Sequence, residues 1–328
     1  MRRALALVAV TGLVAGLAAG LAGCGSDGPD PLRGQQWALG GLNLPGAWDQ
    51  SRGGDIVVAV VDTGVDLGHP DLKDHLVDGY DFVAGDEEAA DQNGHGTHVA
   101  GIAAAVTDNG VGVAGGAPEA KIMPVRVLST LGAGDNATII KGVMWAADHG
   151  AKVINLSLGE SGLMSRLLKG GVLNQAIQYA WNKGAVVVAA AGNDATIKQP
   201  YKVGTPVLVV GASDPQGRPA SFTNVGAEGQ VSAPGVGILS TLPTYATPET
   251  VKNTSGYGKL DGTSMAAPYV SAVVALLLAQ GRTPAEAVQA IRTTARNPSG
   301  DPRLGAGVVD ARAALSEATA GLGRPAHP

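Results

Sequence analysis

A carboxylate, an imidazole, an amide and a hydroxyl stand at the ends of apolar runs in this chain, at Asp62, His95, Asn193 and Ser264. Together they could carry out acyl transfer. A serine hydroxyl is a weak nucleophile at its own pKa, so it needs an imidazole to take its proton and return it to the leaving group. The imidazole needs a carboxylate to fix its tautomer, and the tetrahedral intermediate needs donors for its oxyanion. Each residue also has a plainer role open to it. Asp62 and Asn193 could be turn formers, His95 could merely start a helix, and Thr263 or Ser264 could cap an orphan N–H of the adjoining helix. The choice depends on whether the fold brings the four together.

The apolar pattern predicts how it could. Residues 56–61 are β-branched or small and wholly apolar, as expected of a parallel strand covered on both faces, and similar runs occupy 121–127, 152–158, 185–191 and 206–211. Helices are expected after His95, over 136–149 with Gly150 as a stop, and through Val172, Ala176, Ile177, Ala180 and Trp181 before Gly184. Ser264 sits in Gly262-Thr263-Ser264-Met265-Ala266-Ala267-Pro268, ahead of an apolar run to Leu278 that predicts a central helix. Thr283-Pro284-Ala285-Glu286 reads as a capping box, and that helix should end before Asn297-Pro298. Strands alternating with crossover helices predict one α/β domain, a doubly wound parallel sheet with helices on both faces. Ligands of such sheets bind outside the carboxyl ends of the strands. Asp62 and Asn193 lie at two of those ends, and His95 and Ser264 at helix starts.

With Val61-Asp62-Thr63-Gly64, Asn93-Gly94-His95-Gly96-Thr97-His98, Ala191-Gly192-Asn193 and Gly262-Thr263-Ser264-Met265 in hand, the chain resembles the subtilisin-like serine peptidases, or subtilases, and the thermitase-like branch in particular, over about residues 30–315. The resemblance implies a subtilisin-like fold and an endopeptidase working through Asp62, His95 and Ser264, with an acyl-enzyme intermediate. It implies an oxyanion hole made by the Asn193 side chain and the Ser264 N–H, with Thr263 helping to orient it. Extended polypeptide substrates should lie between Gly132-Ala133-Gly134 and Ser157-Leu158-Gly159, small residues that let two backbones approach. Around the first specificity pocket Ala190, Ala191 and Gly192 suggest an open apolar slot, with Asp194 at its rim as either a weak attractor of basic residues or a solvated turn residue. His69, His75, His98, His149 and His327 are read as structural. The family also implies a structural Ca²⁺ held by Asp30, Asp71, the Asn109 side chain and the carbonyls of Val106, Val111 and Val113, an all-oxygen set suited to that ion; alternatively Asp30 is mere tether and the loop closes without metal.

The composition bounds the rest. With 45% hydrophobic and 16% charged residues, the chain can bury a sizeable core, and a formal charge of −5 leaves no basic footprint for nucleic acid. Cys24 is the single cysteine, which excludes an internal disulfide or a Cys-ligated zinc. It comes after Met1-Arg2-Arg3 and an Ala/Leu/Val/Gly run, the layout of a secretory signal. Leu21-Ala22-Gly23-Cys24 resembles the lipobox of bacterial lipoproteins, in which cleavage before the cysteine leaves it lipidated. The alternatives are an ordinary cleaved signal or an uncleaved anchor of about 20 residues, which would also export the chain beyond it. The expected layout is a signal peptide over 1–23, a tether over 24–34, a peptidase domain over 35–316 and a loose tail over 317–328. The product is expected to be an exported monomer held by Cys24 on the outer face of a bacterial membrane.

Departures from the family pattern are visible as well. Nothing between Cys24 and Asp30 could hold the prodomain that helps secreted subtilisins fold. Tyr269 replaces a customary noncatalytic histidine, Ala267 stands where serine or threonine is common, and segments 163–169 and 245–260 are longer than in thermitase-like relatives. They keep a silent, scaffolding subtilase open as a second reading. A serine esterase is disfavoured by the lack of a G-x-S-x-G elbow and by the order of the three residues.

Overall fold

The computed structural model describes residues 29–158, 171–197, 201–250 and 253–317. Cys24, Gly159, the 163–169 segment and His327 lie outside them. Seven parallel strands form the sheet, β1 (Val57–Asp62), β2 (Tyr80–Asp81), β3 (Lys121–Arg126), β4 (Val153–Leu156), β5 (Val186–Ala190), β6 (Val207–Ser213) and β7 (Val231–Pro234). Their order is β2-β3-β1-β4-β5-β6-β7. The winding direction reverses beside β1, since β3 pairs with one of its edges and β4 with the other. A doubly wound sheet opens its binding crevice at such a point.

Side chains in β1 alternate between two cores. Val58 and Val60 join a core with Val99, Ile102, Val270 and Val274, while Ala59 and Val61 join another with Ile139, Val143 and Ile177. The first core belongs to α3 (His95–Ala104) and α6 (Thr263–Ala279), the second to α4 (Asn136–Asp148) and α5 (Val172–Asn182). α1 (Trp37–Gly41) and α2 (Leu44–Trp48) precede the sheet, and α7 (Pro284–Thr294) and α8 (Ala311–Ser316) come after it. Strand periodicity then puts Asp62 on the Val58/Val60 face, toward α3 and α6. α6 needs no polar face, because every residue from Thr263 to Leu277 is buried.

The expected strands and helices are present to within a residue or two at their ends, including the Thr283–Glu286 capping box and the left-handed stops Gly150 and Gly184. Other elements are additions. Tyr80–Asp81 and Val231–Pro234 are too short or too proline-marked to read as strands, and a separate antiparallel pair, β8 (Ile238–Thr241) with β9 (Tyr257–Leu260), hides behind a glycine and a lysine. The expected tether is structured from its distal part onward. Asp30 is 4% exposed and accepts from the Asp108 and Asn109 N–H groups, and a 3₁₀ turn lies next to it at Arg33–Gln35.

Candidate active site

Asp62 ends β1 fully buried, and its Oδ1 is 2.8 Å from His95 Nδ1. An ionised carboxylate can only accept, so Nδ1 carries the proton and Nε2 is left as a base. Desolvation opposes a charge on His95, but the Asp62 charge and hydrogen bond, helped by Asp91 and Glu249, outweigh it and raise the imidazole pKa above its ordinary value. The loop before His95 is tied down by Asp91, which sequence reasoning missed. Its buried carboxylate accepts from Thr63 Oγ1, Thr97 Oγ1 and the N–H groups of Asn93, Gly94 and Thr97. The Asp-x-Asn-Gly pattern of a side-chain-closed turn was its available signal. Gly94 is required there, with φ +118° and the Glu249 Cβ only 2.8 Å from where a side chain would begin.

Ser264 is the second residue of α6, and neither it nor Thr263 caps the helix. Thr263 instead donates its N–H and its Oγ1 hydrogen to Asn193 Oδ1, at 2.9 and 3.0 Å, and its Oγ1 accepts from the Gly192 N–H at 3.0 Å. The Asn193 oxygen is thereby occupied, and its exposed amide group keeps Nδ2 for donation. Ser264 Oγ donates to the Ser157 carbonyl at 3.1 Å, so its hydrogen must leave that acceptor before His95 Nε2 can take it. Pro268 is part of the reason the pair forms. A residue at that position would normally donate its N–H to the Ser264 carbonyl, but proline cannot, and Ser157 Oγ donates there instead at 2.8 Å. The chain of hydrogen bonds continues inward, with Asn155 Nδ2 donating to Ser157 Oγ and Ser271 Oγ donating to Asn155 Oδ1, both at 2.9 Å. Asn155 was also missed, although an asparagine within an apolar strand is a visible anomaly.

A cleft of about 370 Å³ runs past this group. His95, Ser264, Asn193, Gly132, Ser157 and Leu158 line it, together with Leu128, Leu131, Leu260 and Met265 and the acidic side chains of Asp194, Glu249 and Asp261. Ala133 and Gly134 of the expected substrate segment are not in the lining. Nor are Ala190, Ala191 and Gly192, which lie buried behind it because strand alternation sends Ala190 and Ala191 into opposite cores. The described histidines other than His95 have structural partners. His98, whose pKa burial pushes down to about 3, meets the Gly258 carbonyl, His69 that of Gly256 and His75 that of Ala104, while His149 stacks on Trp145. Tyr269 is buried within α6, its hydroxyl pKa raised by desolvation.

The residues expected to hold calcium gather around Asp71. Asp71 is fully buried and accepts from the Val113 N–H and Asn109 Nδ2, while the Val106 N–H donates to its carbonyl and the Val111 N–H to Asn109 Oδ1. Burial pushes the Asp71 carboxyl up to about 6, with Asp30 adding repulsion, and burial also raises Asp30. Among the described residues neither buried carboxylate has an ion pair, Arg33 acting on Asp30 only at longer range, so the two are short of positive charge, and the other candidate ligand atoms are amide oxygens. That set fits a hard divalent cation. With two carboxylates, it does not amount to a group of three or more His, Cys, Asp or Glu, and none exists among the described residues.

A proton-bearing imidazole between a buried carboxylate and a helix-start serine, with an amide donor alongside, is the equipment of a serine hydrolase. The chain belongs to the subtilase family, whose model matches residues 53–312, and it is a serine peptidase of the subtilisin type. It is 45% identical over 260 residues to thermitase of Thermoactinomyces vulgaris, covering 79% of this chain and 88% of that one. It is 46% identical over 257 residues to a thermophilic serine proteinase of a Bacillus species, covering 77% of this chain but 60% of the longer relative. Among solved structures, a protease from Pseudoalteromonas arctica superposes with a TM-score of 0.77 at 36% identity, covering 88% of this chain and 99% of that one.

Proposed function

We propose that Ser264 is the nucleophile of an endopeptidase that cleaves extended polypeptides, with His95 as general base and acid and Asp62 as its orienting carboxylate. Ser264 Oγ attacks the scissile carbonyl carbon while His95 Nε2 takes its proton. The oxyanion is held by Asn193 Nδ2 and by the Ser264 N–H, a first-turn donor with no partner inside the helix. Collapse breaks the C–N bond, and the same proton leaves with the amine. Water then repeats the sequence on the acyl-enzyme, with His95 again as base. The observation that carries this reading is the failure of Thr263 and Ser264 to cap α6: Thr263 serves Asn193, and the Ser264 hydroxyl lines the cleft beside His95. Hydrolysis of an internally quenched peptide that disappears in Ser264→Ala supports it. Equal hydrolysis by Ser264→Ala overturns it.

The substrate backbone lies along Gly132-Ala133-Gly134 and Ser157-Leu158-Gly159, with Ala190–Gly192 forming the wall behind the first pocket. Asp30, Asp71, Asn109 and the carbonyls of Val106, Val111 and Val113 hold a structural Ca²⁺, which supplies the positive charge that the two buried carboxylates lack. The protein is exported by residues 1–23, a reading supported by the extracellular proteases among its relatives. Lipidated Cys24 anchors it to the outer face of a bacterial membrane, and residues 24–34 link it to a monomeric domain over 35–316 with a tail over 317–328. Incorporation of labelled fatty acid into the wild type but not into Cys24→Ala tests the anchor; equal labelling contradicts it.

A further inference from the structure

The described residues between β8 and β9 are built onto the loop that delivers His95. Thr244 donates its N–H and its hydroxyl to Asp66 Oδ2 at 2.9 and 2.8 Å, Tyr245 Oη donates to the Asp91 carbonyl at 2.8 Å, and the Glu249 N–H donates to the Asn93 carbonyl at 3.1 Å. Thr250 Oγ1 closes the turn on the Tyr245 carbonyl at 2.8 Å and receives the Thr247 N–H at 2.7 Å. Thus held, the Glu249 side chain lines the cleft beside Gly94, next in sequence to His95. It is exposed, and among the described residues its carboxylate makes no hydrogen bond or ion pair. Asp194 and Asp261 add two further acidic side chains to the lining, one Asp261 oxygen accepting from the Gly237 N–H. No lysine or arginine lines the cleft among the described residues.

We infer that Glu249 selects substrates carrying a lysine or arginine on the leaving-group side of the scissile bond. The inference rests on the peptidase reading above. The acyl half of the substrate takes the Gly132 and Ser157–Leu158 segments, which belong to other loops. The leaving amine is the group His95 protonates, so the chain beyond it runs against the His95 loop, where Glu249 is docked. Among the described residues this exposed carboxylate has no hydrogen bond or ion pair, its charge acting only at longer range on His95, and a guanidinium or ammonium is the complement it lacks. An exposed ion pair contributes modestly, and replacing a basic by an acidic residue adds repulsion to the loss of attraction.

The test uses internally quenched peptides with one common acyl half and with Arg, Gln or Glu in turn at the first, second and third positions after the cleaved bond. The wild type should cleave the best Arg peptide with a kcat/KM about 5- to 10-fold above its Glu counterpart at low salt. The ratio should shrink near 1 M salt, where the Debye length falls to about 3 Å. Glu249→Gln should bring the ratio below about 2-fold, and Glu249→Lys should reverse its sign. A flat wild-type profile, or ratios unchanged in both variants, overturns the inference. Wild-type hydrolysis of a peptide nitroanilide, which has no residue beyond the cleaved bond, reports the peptidase reading separately. Activity there with a flat profile defeats the role of Glu249 alone, whereas inactivity on every substrate defeats the underlying reading and this inference with it.

Discussion

His95 can act as a base because Asp62 occupies its other nitrogen, and the same contact sets the pH at which it works. Imidazole must be neutral to accept the Ser264 proton, so activity rises with pH through the His95 pKa. That pKa is raised despite desolvation, chiefly by Asp62, and the acid limb of kcat/KM should therefore lie above about 6.5, the ordinary histidine value. Asp62→Asn removes the charge that raises it. The limb should move to lower pH, and kcat should fall by roughly 10⁴ because the tautomer is no longer enforced. A limb unmoved in the variant would mean that Asp62 does not govern the base. Asn193→Ala should cost about 10²–10³ in kcat with little change in KM, a magnitude measured for the equivalent donor of subtilisin itself. Met265, buried beside Ser264 and lining the cleft, should make the enzyme sensitive to peroxide, since a sulfoxide is bulkier and polar. Full activity with Met265 oxidised, as read by mass spectrometry, would contradict that.

Among the elements, the junction between β4 and α6 gives Ser264 its seat. Ser271, Asn155 and Ser157 form a buried chain of hydrogen bonds that ends on the Ser264 carbonyl, which Pro268 leaves without its helical donor. Asn155→Ala strands the buried Ser271 hydroxyl and takes from Ser157 Oγ the donor it accepts. Urea unfolding in a Ser264→Ala background, which prevents self-digestion, should show a loss of about 1–3 kcal/mol; a loss within error would remove this chain of bonds from the account. The strands at 56–61 and 185–191 were legible because an all-apolar run rich in valine and bounded by turns has few alternatives, and their carboxyl ends located Asp62 and Asn193; 152–158 was legible from its apolar residues despite Asn155. The helix starts at His95 and Ser264 were legible from their apolar continuations. Asn155 and Asp91 were not, because the partners that give them their part in the site, Ser271 and Thr63, are distant in sequence and are set by tertiary contact. The β8–β9 pair was missed for a related reason: Tyr257–Leu260 is half-buried, with no alternation to mark it. Ala190 and Ala191, which the family pattern places around the first pocket, pack their side chains into the two cores.

For the molecule as a whole, one strand carries the division of labour. β1 sends alternate side chains into two cores, and its last residue, Asp62, emerges on the side where α3 and α6 bring His95 and Ser264. The Asp30–Asp71 cluster lies beyond the C-terminal end of α3, where residues 106–113 bond to both carboxylates' residues. Calcium bound there at 100 times its dissociation constant should stabilise the fold by about 2.7 kcal/mol, or roughly 5–10 °C in Tm. Removing it with EGTA should lower Tm by that amount in the Ser264→Ala background, and Asp71→Asn should abolish the difference. A Tm indifferent to EGTA would leave the two buried carboxylates without their counter-charge. The central claim, that the described geometry makes Ser264 a nucleophile, is tested most directly by a fluorophosphonate probe. The wild type should be labelled stoichiometrically on the peptide containing Ser264, with labelling lost in Ser264→Ala and slowed by orders of magnitude in His95→Ala; absence of label from Ser264 in the folded wild-type protein would contradict it.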